Sequence, residues 1–204
     1  MPPKAKTSRS EQKETTREQI LEAATTLLAE HGYAALRVAA VASKAGVSLG
    51  GQLHHFPSKD DLVVAVLERL SARISDSLQQ DATRTGMAED ILLAISNSAQ
   101  RFYASPEFVI YLDIFLSVRH HALLGDAAVR LLQSQRTTTE ALWLPHLTQQ
   151  GYAMDHALLI IRALWGLARG LAISSSAEQR HSGNPKTVDF VVHALQSTYP
   201  PVNA

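Results

Sequence analysis

Apolar and polar positions alternate with a helical period along almost the whole chain. From residue 15 to residue 31 the apolar side chains recur at intervals of three and four, the stripe of an amphipathic helix. Thr15 or Thr16 can cap the start of this helix, and Gly32 can end it. Gly46 then separates two short helical segments. The pattern predicts three helices before the first long one.

Six further helices are predicted beyond this group, which makes about nine in all. Ser58 can cap the fourth helix, Pro145 is expected to kink or interrupt the seventh, and Asp155 opens an eighth that is apolar nearly all round. A polar loop over residues 174–184 precedes a ninth helix that begins at Pro185. No segment has the pattern of a strand, so the predicted fold class is all-α.

The composition fits a globular protein and excludes several kinds of site. The chain has 204 residues, of which 46% are hydrophobic, and it has no cysteine. A disulfide framework, a thiolate zinc site and a cysteine nucleophile are therefore excluded. The most apolar stretch, residues 157–173, contains Arg162 and Arg169, which are costly in a bilayer. We expect a cytoplasmic protein without a membrane span.

The charge balance hides an uneven distribution. Lysine and arginine number 19, as do aspartate and glutamate, so the formal net charge is zero. The segment from Leu36 to Lys59 nevertheless contains no acidic residue, and it also holds His54 and His55. A basic region at one end of a chain is a weak signal of nucleic-acid binding, although it also fits a solvated surface.

Residues 38–56 have the layout of a helix-turn-helix. A short helix leads into the turn Ala45-Gly46-Val47-Ser48, and a second short helix follows. The spacing fits an ordinary helical hairpin equally well. In a helix-turn-helix the second helix presents its N-terminal residues to the major groove of DNA.

The residues themselves favour the first interpretation. Over roughly residues 15–70 the chain resembles the DNA-binding domain of the tetracycline-repressor (TetR) family of bacterial transcription regulators. The resemblance implies that helices 1–3 bind DNA, that helices 4–7 enclose an effector pocket and that the last two helices dimerise. It gives three expected regions: a disordered basic tail over 1–14, a DNA-binding domain over 15–60 and a ligand-binding and dimerisation domain over 61–204. The motifs that carry it are Gly32-Tyr33, Ala45-Gly46-Val47-Ser48 and His55-Phe56-Pro57-Ser58-Lys59.

The candidate DNA contacts follow from this resemblance. Lys59 stands in the family's phosphate-contacting position, whereas Ser48 is first a helix cap. A metal at the adjacent His54 and His55 is rejected, because neighbouring side chains on a helix point about 100° apart. The predicted DNA-binding residues are Thr16, Arg17, Arg37, Lys44, Ser48, Leu49, Gly50, Gly51, Gln52, Leu53, His54, His55 and Lys59.

Arg37, which replaces the usual cap of helix 2, and Ala39 and Ala40, at positions that are often polar, depart from the family pattern, as do two residues of the next helix. Gln52 and Leu53 stand where the family often has an apolar residue followed by a tyrosine that touches the DNA backbone. Either the short helix is rotated slightly, or Gln52 points inward and a phosphate contact is lost. The second alternative keeps open a regulator-like protein with weakened DNA binding.

The body of the chain has the composition of a small-molecule pocket, because aromatic residues alternate with a few polar ones. The predicted ligand-binding residues are Asn97, Phe102, Tyr103, Tyr111, Asp113, Phe115, Trp143, His146 and Trp165. Asp113 interrupts an apolar run, and since an unpaired buried carboxylate is costly it needs a partner such as an arginine or a tyrosine, or contact with water. The effector is expected to be apolar or aromatic.

Helix 8 is too apolar for a monomer's surface, so it is the candidate dimer element together with helix 9. Gly166 and Gly170 allow close approach of a second helix. The predicted interface residues are Leu158, Ile161, Trp165, Gly166, Gly170, Val188, Val191, Val192 and Leu195.

These observations predict a homodimeric, ligand-responsive repressor that binds a palindromic operator in double-stranded DNA. An α-helical enzyme is the less favoured alternative, since no nucleophile–base pair, phosphate loop or metal-ligand spacing is present. No cofactor or metal is expected.

Overall fold

The computed structural model describes residues 9–85, 90–118, 121–177 and 185–202, and within these ranges the chain is helical with no strand. The predicted all-α fold class is confirmed. The helices are α1 (Arg9–Ala35), α2 (Val38–Ala45), α3 (Leu49–His55), α4 (Lys59–Arg84), α5 (Ile91–Tyr103), α6 (Pro106–Val118), α7 (Ala122–Gln149), α8 (Met154–Ala177) and α9 (Pro185–Thr198).

The chain forms two compact units. Unit 1 comprises Met1–Leu70 with Ile110–Leu131, and unit 2 comprises Ser71–Val109 with Leu132–Ala204. Each unit has its own apolar core, built in unit 1 around residues of α1, α4 and α6 and in unit 2 around residues of α5, α7 and α8. Unit 1 therefore extends beyond the segment predicted to bind DNA, and the assignment of functional domains stays a prediction.

The first helix begins earlier than its apolar stripe indicates. Residues 9–14, predicted to belong to a disordered tail, form the first turns of α1, so the prediction is wrong for them; residues 1–8 lie outside the described residues. Thr15 and Thr16 are not caps, because their hydroxyls donate to the carbonyls of Glu11 and Gln12, at 2.8 and 2.9 Å, inside the helix. Polar helix formers extend a helix without any apolar stripe to reveal it.

The start of α4 follows the predicted capping pattern. The amide of Asp61 donates to the Ser58 hydroxyl at 3.0 Å, and the Asp61 carboxylate accepts from the Ser58 amide at 3.0 Å. This reciprocal pair satisfies amides that have no partner within the helix and places a negative charge at its positive end. The sharp start of α4 at Lys59 follows from it.

Several later helix ends differ from the predictions. α7 runs from Ala122 to Gln149 and continues through Pro145, which was expected to kink or interrupt it, and α8 extends to Ala177, past the predicted start of the loop at Ser174. Residues 178–184 of that loop lie outside the described residues. Met154–Ser174 is long and apolar enough to cross a membrane by length and composition, which is weak evidence because buried core helices meet the same test.

Candidate DNA-binding surface

The turn between α2 and α3 has the geometry of a helix-turn-helix. Gly46 adopts φ +70° and ψ 26°, a left-handed conformation that favours glycine, and the Val47 amide donates back to the Ala42 carbonyl at 3.0 Å. Ser48 then caps α3, since its hydroxyl accepts from the Gly51 amide at 3.0 Å. The predicted breaker and the predicted cap are both confirmed.

The exposed side of α3 consists of small, apolar and imidazole groups. Leu49 is 48% exposed and Leu53 is 40% exposed, and Gly50 and His54 are also exposed. Gly51 is half-buried, and a side chain there would place its Cβ 3.2 Å from the Ser48 hydroxyl, so glycine keeps the cap undisturbed. This surface allows a duplex to approach the helix backbone closely.

Gln52 is fully buried, with 0% of its surface exposed. The prediction that it contacts DNA is therefore corrected, and of the two alternatives the inward orientation is the one observed. Neither its amide nitrogen nor its amide oxygen has a hydrogen-bond partner among the described residues. Leu53 takes the outer position, where it offers no hydrogen bond to a phosphate.

Lys59 is occupied by contacts inside unit 1. Its Nζ donates to the Tyr33 carbonyl at 3.0 Å and lies 4.0 Å from the centre of the Tyr33 ring. Burial lowers the pKa of Lys59, and the positive charge of Arg37 lowers it further, against the opposite effect of Asp60. The side chain braces the end of α1 against the start of α4, and its predicted phosphate contact stays a prediction.

Asp113 of α6 also holds the kink of α1 at Gly32 and Tyr33. The Tyr33 amide donates to the Asp113 carboxylate at 2.7 Å, directly after Gly32, whose φ is +73°. The sequence predicted that Asp113 needs a partner, and the partner is a backbone amide rather than an arginine or tyrosine side chain. Its carboxylate holds this turn of unit 1, and the predicted contact of Asp113 with a ligand stays a prediction.

Tyr33 was not among the predicted site residues, although its backbone bonds to both Asp113 and Lys59. Its position after Gly32 in the quoted motif was the available signal, but the pattern shows nothing about α6, whose Asp113 is 80 residues away.

The remaining basic candidates surround this centre with weaker contacts. Arg37 donates to the carbonyls of Ala34 and Leu36, at 2.8 and 3.1 Å, and Lys44 lies 3.7 Å from the Glu30 carboxylate. Both side chains reach the surface, where ion pairs contribute little to stability. They stay available as proposed phosphate contacts.

Arg17 and His55 connect α1 to the end of α3. The Arg17 guanidinium lies 5.4 Å from the centre of the Phe56 ring. The pKa of His55 is lowered by burial first, and then by the positive charges of His54, Lys13 and Arg17, with Glu14 acting in the opposite direction. A DNA phosphate placed beside His55 would act in the opposite direction and raise its pKa.

The predicted ligand-binding residues do not gather in one unit. Tyr111 and Phe115 stack in unit 1 with ring centres 6.3 Å apart, and the Tyr111 hydroxyl donates to the Ala128 carbonyl. Asn97 is exposed, which does not fit a buried pocket, and that part of the prediction is corrected.

Four aromatic rings from α5, α6 and α8 form a cluster in unit 2. Phe102 and Tyr103 contact Phe108 and Trp165 with ring centres 4.7–5.6 Å apart, so Phe108 joins the predicted set. Trp143 lies fully buried in the same core beside His146. The indole N–H groups of both tryptophans have no hydrogen-bond partner among the described residues.

Four of the nine predicted dimer residues lie on the side of α8 and α9 that faces the chain's own core. Ile161, Trp165, Val188 and Val192 are at most 9% exposed within one chain, so for them the prediction is corrected. The periodicity identified the apolar positions, but it did not separate those that face the chain's own core. The half-buried or exposed members that remain are Leu158, Gly166, Gly170, Val191 and Leu195.

Known proteins are similar to this chain in sequence. The profile of the bacterial regulatory proteins of the tetR family matches residues 20–66. The HTH-type transcriptional regulator CymR of Pseudomonas putida is 31% identical over 175 residues, which cover 86% of each chain.

Solved structures agree in fold at lower identity. A crystallised TetR-family regulator from Mesorhizobium loti has a TM-score of 0.76 at 20% identity and covers 95% of this chain and 99% of its own. The regulator FadR of Bacillus subtilis, crystallised with stearoyl-CoA, has a TM-score of 0.63 at 18% identity, covering 87% of this chain and 96% of its own. The chain belongs to the TetR family, and it is a helix-turn-helix transcriptional regulator.

Proposed function

We propose that this regulator is a homodimeric repressor that binds a palindromic operator and is released by an apolar or aromatic effector. The exposed surface of α3, capped by Ser48 and flanked by Arg37 and Lys44, supports the DNA-binding part. Occupation of a promoter excludes polymerase directly, so repression requires no additional activating contact. Such a protein acts in the cytoplasm, where its DNA is, and performs no catalysis.

The α3 surface is tested with a duplex selected from a random-sequence pool by the wild-type protein. Leu49→Asp introduces a negative charge at a 48% exposed site on α3, and Val129→Asp introduces the same charge at a 43% exposed site on α7. We expect Leu49→Asp to lower affinity at least tenfold in fluorescence anisotropy, because a carboxylate repels phosphate, and Val129→Asp to leave it unchanged. Equal affinities for the two variants would contradict the proposed surface.

A stripe on α8 supports the dimer. Leu159, Ala163, Gly166, Gly170 and Ile173 are spaced alternately by four and three residues, the interval of a two-helix seam, and all are exposed or half-buried. A Cβ added at either glycine would meet nothing within 4 Å, so a second helix can approach there.

Phe190 on α9 adds a large apolar side chain that is 73% exposed. Phe190→Asp is expected to shift the protein from dimer to monomer in sedimentation equilibrium. Leu93→Asp, at a 40% exposed position on α5, is the matched control and is expected to leave the dimer intact. A dimeric Phe190→Asp variant would remove α9 from the interface.

The aromatic cluster of unit 2 supports the effector. Trp143 and Trp165 are buried with unpartnered indole N–H groups, and a buried donor without an acceptor is costly. A ligand with an aromatic ring and an acceptor would satisfy one of them. We expect benzyl alcohol to raise the melting temperature more than toluene, since the two differ by a hydroxyl, and to do so less in Trp165→Phe.

Effector and operator oppose each other through linkage. A ligand that prefers the conformation with weak DNA affinity lowers DNA binding by the factor by which DNA lowers ligand binding. Asp113 on α6 holds the Tyr33 amide, so a displacement of α6 would reach the helix-turn-helix through this hydrogen bond.

A further inference from the structure

The first two turns of α1 extend beyond the helix-turn-helix and have a distribution of charge that the core does not require. Arg9, Lys13 and Arg17 are spaced by four residues and fall within about 80° of arc at 3.6 residues per turn. Arg9 and Lys13 are exposed, and Arg17 is half-buried. Together they form a basic stripe along one side of the helix.

This basic stripe continues the side of α1 that packs into unit 1. At the same helical spacing, the buried residues Ile20 and Ala24 fall within the arc occupied by the three basic residues. One side of the helix is therefore apolar where it meets the core and basic where it projects past it. The projecting part lies on the side of the helix-turn-helix rather than away from it.

Three of the four acidic residues between Glu11 and Glu22 lie on the opposite side of the helix. Glu18 and Glu22 both contact Arg69 of α4, at 3.3 and 2.7 Å. Glu11 lies about two turns before Glu18 on the same side of the helix. Arg17 has two long ion pairs, at 3.9 Å with Glu14 and 3.7 Å with Glu18, and exposed pairs of this length are weak. The basic stripe is thus separated around the helix from the carboxylates that contact α4, whereas Glu14 lies beside Arg17.

One ring contact and one electrostatic effect place the basic stripe near the end of α3. Arg17 lies over the ring of Phe56, the residue that terminates α3. Lys13 and Arg17 both lower the pKa of His55, the last residue of that helix, through their positive charges. The stripe is therefore continuous with the exposed surface of α3.

We infer that Arg9 and Lys13, held by the helical extension of α1, bind DNA backbone phosphates next to those reached from α3. This helical extension with its basic stripe, which we call the basic ramp, is rigid and does not act as a flexible arm. It supplies affinity without sequence discrimination, since phosphate contacts position a protein on the duplex and do not identify bases.

The inference rests on the proposed DNA-binding surface and is tested after that surface. The probe is a duplex already selected by the wild-type protein, so DNA binding is established before any variant is compared. Arg9→Gln/Lys13→Gln removes two charges from the ramp. Arg84→Gln/Arg136→Gln removes two exposed charges from unit 2 and is the matched control.

The salt dependence of the dissociation constant is the measurement. Each phosphate contact contributes about 0.9 to the slope of log affinity against log salt, so the ramp variant is expected to lose about 1.8 from the slope per DNA-binding unit. Between 50 and 200 mM salt this difference amounts to roughly tenfold in affinity for one DNA-binding unit and roughly a hundredfold for the proposed dimer with both units bound. A slope equal to that of the control variant would overturn the inference and leave the proposed α3 surface standing.

A proline pair tests whether the helix itself is required. Thr15→Pro breaks the extension, because the Thr15 amide bonds within the helix and the ring clashes with the preceding turn. Ser10→Pro lies in the first turn, where proline is tolerated. We expect Thr15→Pro to reproduce the reduced slope and Ser10→Pro to retain the full one. A full slope in Thr15→Pro would contradict a helical ramp.

Discussion

In unit 1 the kink of α1 at Gly32 is held by hydrogen bonds to two charged side chains, whereas the centre of unit 2 is a cluster of aromatic rings. Tyr33 donates its amide to Asp113 at 2.7 Å and accepts at its carbonyl from Lys59 at 3.0 Å. Phe102 and Trp165 in unit 2 meet only through ring contacts, with centres 5.4 Å apart.

The difference corresponds to two mechanical requirements. Hydrogen bonds to charged groups are directional, so they fix the helix-turn-helix to the tolerance that a DNA groove demands. Aromatic packing is less directional and permits rearrangement around a ligand. Substitutions in these two regions are expected to change stability or DNA affinity by decreasing amounts.

The largest effect is expected for Gly32→Ala. Gly32 adopts φ 73° and ψ 172°, a region that is essentially reserved for glycine, and a Cβ there would lie 3.1 Å from the Asp113 carboxylate. We expect the free energy of unfolding in urea to fall by about 3 kcal/mol. DNA affinity is expected to fall as well, because the Tyr33 amide is displaced.

Gly46→Ala is the comparison variant, with a milder backbone strain and no close contact. Gly46 has φ +70° with ψ 26°, a left-handed conformation that alanine adopts at a cost of about 1 kcal/mol, and nothing lies within 4 Å of its added Cβ. Equal losses for the two alanine variants would contradict the larger cost expected at Gly32 from its glycine-only conformation and its contact with Asp113.

The second effect is a gain of stability from Gln52→Leu. Gln52 is fully buried without a hydrogen-bond partner in the described part of the chain. Replacing its amide with an apolar group of similar size removes the cost of desolvation, so unfolding is expected to require about 1–2 kcal/mol more.

Leu53→Gln tests the exposed apolar position that follows Gln52. Leu53 is 40% exposed, and its replacement is expected to change stability by less than about 0.5 kcal/mol. A Gln52→Leu variant less stable than wild type would mean that the buried amide makes favourable hydrogen bonds in the folded protein.

Local chemistry explains which features were predictable from the sequence. Gly46, Ser48 and Ser58 act within four residues of themselves, and all three have the predicted roles. The inward orientation of Gln52 was one of two alternatives, and the sequence offered no ground for choosing, since a one-residue rotation turns a helix by about 100°, enough to move a side chain between the buried and the exposed side.

Long-range contacts explain what was missed. The bond from the Tyr33 amide to Asp113 joins residues 80 positions apart. On α8 the apolar positions were found, but Ile161 and Trp165 face their own chain whereas Leu159 and Ile173 face outward. Apolar character is the same on both sides, so period alone cannot divide it.

The third effect, in unit 2, is expected to be small. Trp165→Phe removes an unpartnered indole N–H and some apolar area, and these changes oppose each other. We expect the free energy of unfolding to change by less than about 1 kcal/mol, compared with a loss of about 2 kcal/mol for Asp113→Ala, which leaves the Tyr33 amide unpaired. A larger loss for Trp165→Phe would show that unit 2 depends on exact packing, against the contrast drawn above.

The smallest effect concerns the pH dependence of DNA binding at unit 1. The pKa of His55 in the free protein is below its usual 6.5, because burial and the charges of His54, Lys13 and Arg17 disfavour the imidazolium despite Glu14. A phosphate beside the ring raises that pKa, so DNA binding takes up a proton. Affinity therefore rises as the pH falls below the bound-state pKa and levels off below the free-state pKa. Anisotropy titrations across this range are expected to lose the dependence in His55→Gln and to keep it in His54→Gln. If the dependence disappears in His54→Gln and persists in His55→Gln, the phosphate lies against the exposed imidazole of α3 and not against the half-buried one.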